Sequence, residues 1–146
     1  METVSLERAA SYILEECRMV LPGIQALFGF QLIAVFSEGF AQYLSSAQQN
    51  LHLAAIVLVA FAIALVMAPA AVHRQAQPRQ VSERFIRVAS NLLLASMLPL
   101  ALGLCIELYL VGMVILEHEA AALAIAVVLA ALFIFLWVLL PRRYRR

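Results

Sequence analysis

The sequence predicts an all-α, polytopic membrane protein with four transmembrane helices, an N-terminal amphipathic helix and both termini in the cytoplasm. Three observations carry that prediction. Hydrophobic residues make up 65% of the 146-residue chain and charged residues 13%, against about 45–50% and about 25% in soluble domains. The mean hydropathy is +0.96, and a soluble fold of this size keeps too much surface in water to hide such content. Four apolar segments approach or exceed the roughly 20 residues a helix needs to cross a bilayer, and the arginines gather on one side of them.

Residues 3–18 read as the amphipathic helix. Leu6, Ala10, Ile13, Cys17 and Val20 recur at three- and four-residue spacing on one face, with Glu7, Arg8, Glu15 and Glu16 on the rest. Such a helix is expected to lie in the cytoplasmic interface; the alternative is a soluble extension of the first span. The first span covers about 19–36 and is the most polar, with Gln25 and Gln31. Pro22-Gly23 at its start reads as an N-terminal device or as a kink that frees backbone carbonyls. The second span, 51–72, is the cleanest, and Pro69 near its end marks another bend. Residues 73–91 form a cytoplasmic loop that breaks at Pro78, and a capped helix starting at Ser82 runs from it into the third span, 92–116. The fourth span, 120–140, is uniformly apolar. The whole of 1–146 is expected to form one transmembrane helical-bundle domain.

Orientation follows from the ten basic residues, all of them arginine. Arg74, Arg79, Arg84 and Arg87 lie between spans two and three. Arg142, Arg143, Arg145 and Arg146 follow span four, and Arg8 and Arg18 precede span one; the other two loops carry none. Short cytoplasmic loops collect positive charge, which places both termini inside and the chain in the cell (inner) membrane. Arg84 and Arg87 are expected at the level of lipid phosphates. Trp137 and Tyr144 at one interface, and Phe40 and Tyr43 at the other, suit aromatic belts.

Glu107 is the main candidate for chemistry. It sits about 24 Å along the third span from its cytoplasmic end by helix rise. An ionised carboxylate at the centre of a span costs about 2.5–3.5 kcal/mol on insertion scales, and no arginine lies at that depth to neutralise it. The residue reads as a proton- or cation-binding carboxylate facing the bundle interior or a subunit interface. Two structural alternatives stand beside that reading: a protonated acid hydrogen-bonded to a neighbour such as Gln31, or a carboxylate that snorkels to the outer surface. Glu38 and His52 are expected near it, at the outer helix ends with Glu117, His118 and Glu119. These are ligand types without ligand geometry, so no metal site is predicted. Gln25 and Gln31 suit interhelical hydrogen bonds worth about 1 kcal/mol each. Alanines at four-residue spacing, Ala60, Ala64 and Ala68 on span two and Ala122, Ala126 and Ala130 on span four, let helices approach closely.

Cys17 and Cys105 lie far apart and form neither a disulfide framework nor a CxxC metal site. No secretory signal peptide is expected. No nucleophile–base pairing, phosphate-binding glycine loop or HExxH pattern is present, so neither an enzyme nor a cofactor is expected. A net charge of +1 gives no basis for binding nucleic acid.

The stretch EECRMVLPGIQALFGFQLIAVFSEGF, with APAAVHR further on, resembles a family of small bacterial integral membrane proteins, domain-of-unknown-function family 6328. The residues that carry the resemblance are Glu16, Arg18, Leu21, Pro22, Gly23, Gln25, Phe28, Phe30 and Phe36, then Pro69, His73 and Arg74. It implies a four-helix membrane fold and draws notice to Glu16 and Arg18, where Arg18 would pair with Glu15 or Glu16 or grip a lipid phosphate. Some members are labelled sodium:proton antiporters, although this chain has no aspartate from which to build an intramembrane pair.

Together these readings predict an oligomeric channel or transporter subunit for protons or small cations, with Glu107, Glu38, His52 and Gln31 binding the ion. Glu16, Arg18, Arg84 and Arg87 would meet lipid, and Pro22 and Pro69 would bend helices. The alternative is a non-transporting scaffold or accessory subunit that binds partner helices and anionic lipid. The partners expected are the bilayer and further copies of the chain.

Overall fold

Small polar residues set where the helices of this chain begin. Ser45 accepts a hydrogen bond at its Oγ from the Gln48 N–H, and the Gln48 side chain accepts one in return from the Ser45 N–H. That reciprocal pair is a capping box, and it starts α3 (Ser46–Ala76) five residues ahead of the apolar run expected at 51. Ser82 does the same for α4 (Glu83–Leu116), its hydroxyl accepting from the Phe85 N–H. The helix expected to start at Ser82 is therefore present and runs unbroken into the third apolar segment.

The computed structural model describes residues 5–76 and 81–144, and every regular element among them is helical. Besides α3 and α4 these are α1 (Leu6–Val35), the short α2 (Glu38–Tyr43) and α5 (Glu119–Phe133). The backbone then widens into a π-helical stretch over Ile134–Leu139 and closes as α6 (Leu140–Tyr144). Four helices are long and apolar enough to cross a membrane: α1, α3, α4 and the stretch Glu119–Tyr144.

Two expectations change. The amphipathic segment is not a separate interfacial helix: α1 continues from Leu6 through position 18 to Val35. The middle of its apolar face is covered by protein, with Ala10 buried in a cluster with Phe85 and Ala89 of α4 and Ile13 packed against them, while Leu6 and Val20 at its ends are exposed. The loop assigned to 73–91 is largely helical, because α3 extends to Ala76 and α4 begins at Glu83. The break at Pro78 lies outside the described residues, as do Arg79, Arg145 and Arg146. Pro22 and Pro69, where bends are expected, sit inside α1 and α3, and Pro99 sits inside α4.

The chain divides into two compact units. Met1–Phe30 and Val59–Pro99 form one, with the Ala10, Phe85 and Ala89 cluster inside it. Its share of α3 buries Val59, Ala62, Val66 and Pro69, a three- and four-residue spacing that defines one helix face. Ala60, Ala64 and Ala68 lie off that face and are less buried.

Gln31–Leu58 and Leu100–Arg146 form the other unit. Here α4 and α5 meet at Gly112 and Ala122. A Cβ placed on Gly112 would stand 3.1 Å from the Ala122 Cβ and 3.2 Å from its Cα, tight enough that the neighbouring helix would have to shift by a few tenths of an ångström. Glu117 makes the reversal between the two helices with φ 51°, a left-handed conformation at the helix C-terminus. Ala122 and Ala126 are buried as the α5 stripe predicts, whereas nothing from Val127 to Tyr144 is buried.

Candidate proton site

The site lies wholly within the second unit and draws one residue from each of three helices. Gln31 comes from the last turn of α1, His52 from the second turn of α3, and Glu107 from α4. Gln31 and His52 are each 4% exposed, and the Glu107 side chain is 18% exposed.

The hydrogen bonds fix the roles. His52 Nε2 is 3.0 Å from the main-chain carbonyl of Gln31. A carbonyl only accepts, so Nε2 carries the hydrogen and donates. Nδ1 then faces the Glu107 carboxyl, 3.0 Å from Oε1 and 3.1 Å from Oε2. The Gln31 amide Nε2 donates to Glu107 Oε1 at 2.8 Å. Phe40 of α2 lays its ring against the imidazole, with centroids 5.2 Å apart at 61°.

This arrangement offers a proton a place between His52 and Glu107. A bare carboxylate facing an unprotonated Nδ1 would set acceptor against acceptor at 3.0 Å. One proton removes the conflict in either of two ways: imidazolium with carboxylate, or neutral imidazole with carboxylic acid. Both forms carry no net charge. The expectation that Glu107 stands without a counter-charge is thus corrected: no arginine reaches it, but a histidine 55 positions earlier in the chain does.

One acceptor remains open. Gln31 Oε1 is buried and makes no hydrogen bond. Beside the pair lies a cavity of about 190 Å³ whose wall includes Phe40, Leu44, Leu110, Val114 and Ile115, with His52 and Glu107 as its ionisable members.

The other residues singled out from sequence lie elsewhere. Glu38 is exposed at the start of α2 and makes no contact with the pair, and Glu117, His118 and Glu119 are exposed at the turn before α5. Among the described residues no three histidines, cysteines or acids gather as metal ligands. Gln25 is exposed and Gln31 buried, so only the second bridges helices. Glu16, Arg84 and Arg87 are exposed. Arg18 is also exposed, and it pairs with neither Glu15 nor Glu16; the ion pair found among the described residues is that of His52 with Glu107.

A family model described as a family of unknown function, DUF6328, matches residues 1–141. No curated protein and no solved structure matches the chain.

Proposed function

The chain belongs to a family of unknown function, DUF6328, and from its own residues we propose that it is a proton-handling subunit of a membrane channel or transporter. It works as a homo-oligomer in the cell (inner) membrane, with both termini cytoplasmic, an orientation that the arginine distribution favours. The observation that carries this reading is the 3.0 Å pairing of Glu107 with His52 inside apolar helices. Ionisable side chains in such segments are costly, and they mark ion and proton pathways more often than they serve packing.

The donor set favours a proton over a metal cation. Alkali and alkaline-earth ions need several oxygen ligands at once, and about six or more for calcium. This site offers the two oxygens of Glu107, already engaged by His52 and Gln31, and the free Gln31 Oε1. A proton needs only one acceptor and already has two competing for it.

The same geometry makes release conditional. Taking the proton away leaves a net negative charge and two acceptors face to face in a medium of low dielectric. Release therefore accompanies either arrival of another positive charge or separation of His52 from Glu107. A carrier that exchanges protons needs that constraint, because it prevents an uncompensated leak. The cavity beside the pair gives the replacing species a way in, with Phe40 packed over the imidazole at its edge.

Reconstituted liposomes with an internal pH dye test the proposal. The parent dissipates an imposed proton gradient, and Glu107→Gln slows this by about tenfold or more, in line with losing a positioned proton carrier. Equal rates for the two proteins would remove Glu107 from any pathway.

A second reading, a non-transporting scaffold or accessory subunit, is favoured by one observation. The unburied apolar stretch from Val127 to Tyr144 suits a partner helix as well as lipid or a second copy. Absence of flux together with stoichiometric co-purification of a partner would select it.

A further inference from the structure

A second cavity, of about 690 Å³, lies within the other unit along α1 and α3. Its α1 wall is Leu14, Cys17, Arg18 and Leu21. These positions repeat at three- and four-residue spacing and so present one continuous face. Its α3 wall repeats the same spacing through Ala64, Met67, Ala68 and Ala71. Two alanines of the stripe expected to draw helices together thus line a hollow. Most of the lining is apolar, and the polar members are Arg18, His73, Arg74 and Gln75.

Three features of those polar members point to an anion. Arg18 and Arg74 come from different helices to one cavity, and neither forms an ion pair with any described acid. Both are exposed, so both guanidinium groups remain open to a ligand. His73 packs its ring against Phe85 at a 45° tilt, with centroids 5.5 Å apart, and its Nδ1 is buried with no hydrogen-bond partner. Guanidinium groups bind phosphate oxygens with paired, charge-assisted hydrogen bonds. The apolar length attached to this cationic end belongs to helices that are themselves apolar enough to cross a bilayer.

We propose that this cavity binds one anionic phospholipid, its phosphate held by Arg18 and Arg74 and its acyl chain lying along Ala64, Ala68 and Ala71. The alanines leave the room that larger side chains would fill. A free phosphate would use the arginines but gain nothing from the apolar wall. The proposal stands apart from the proton site, which shares no residue with this cavity.

Native mass spectrometry of the full chain in detergent tests it, with phosphatidylglycerol as probe and phosphatidylcholine and inorganic phosphate as competitors. The parent retains one phosphatidylglycerol that neither competitor displaces at equal concentration. Arg18→Gln and Arg74→Gln each weaken retention by about tenfold, the loss of one charge-assisted contact. Ala68→Leu weakens it with both arginines in place. Arg142→Gln/Arg143→Gln removes as much charge away from the cavity and leaves retention unchanged. Retention by Arg18→Gln/Arg74→Gln equal to the parent would overturn the proposal. An equal loss in the Arg142→Gln/Arg143→Gln control, or displacement by inorganic phosphate, would overturn it as well. If Ala68→Leu does not fold, the arginine variants and their control decide the matter.

Discussion

The Nε2–H of His52 is committed to the main-chain carbonyl of Gln31, 3.0 Å away, which leaves Nδ1 alone to face Glu107. The ring therefore cannot relieve the carboxyl by switching tautomers. Truncating one member should cost more than removing both. His52→Phe strands the Glu107 carboxyl and is expected to lower stability by about 1–3 kcal/mol, the cost of an unsatisfied buried polar group. His52→Phe/Glu107→Leu should recover most of that loss, since apolar replacement of both partners is close to neutral. Thermal unfolding in detergent measures both. A double variant less stable than the single one would mean that the pair is worth more to the fold than its polar bonds explain.

The contact of α4 with α5 makes Gly112 a position where size alone decides the outcome. Gly112→Val would bring a Cβ to 3.1 Å from the Ala122 Cβ and 3.2 Å from its Cα, with two further methyl groups beyond it. Overpacking of this kind costs about 1–3 kcal/mol. Ala122→Gly should return only part of it, because the Ala122 backbone is in the way too. The unfolding midpoints of the single and double variants give the answer.

Glu117 is the described non-glycine residue with positive φ, at 51°. Holding an L-residue there costs about 1–2 kcal/mol, which glycine avoids. Glu117→Gly is expected to raise stability by about 0.5–1 kcal/mol, less than the full relief because the unfolded chain gains freedom. A fall in the unfolding temperature would show that the Glu117 side chain holds the turn by other means.

At the start of α3, Ser45→Ala removes one half of the capping box and Gln48→Ala the other. Each should cost about 1 kcal/mol. The pair should cost less than the sum, because the two bonds support each other. Amide exchange at residues 45–48 reads the fraying directly.

Much of this architecture is legible in the sequence. The four long apolar helices follow from hydropathy, and the Ser82 start of α4 follows from the cap ahead of an apolar face. The contact of Gln31 with Glu107 can be named because both are polar residues inside apolar runs. His52 is expected near Glu107 in the same ion-binding set, but the direct bond between them is not, because it depends on how far α3 extends and on its register beside α4, and hydropathy fixes neither. A helix taken from 51 leaves His52 at its rim; the capping box at Ser45 and Gln48 carries the helix back and puts His52 in its second turn. That S-x-x-Q signal is present in the sequence, hidden in a polar run that reads as loop. The amphipathic face of α1 is visible, but a period of 3.6 does not say whether lipid or protein covers it. The alanine stripes pose the same problem: that of α5 packs through Ala122 and Ala126, while Ala64 and Ala68 of α3 line a cavity.

Nitrogen-15 NMR of the histidine-labelled protein in lipid reports on whether His52 and Glu107 share a single exchangeable proton. Nε2 of His52 is expected to stay protonated as the pH is varied, while the Nδ1 signal moves in a transition that Glu107→Gln abolishes or displaces. An Nδ1 transition identical in the parent and in Glu107→Gln, or an Nε2 that loses its proton first, would rule the shared proton out.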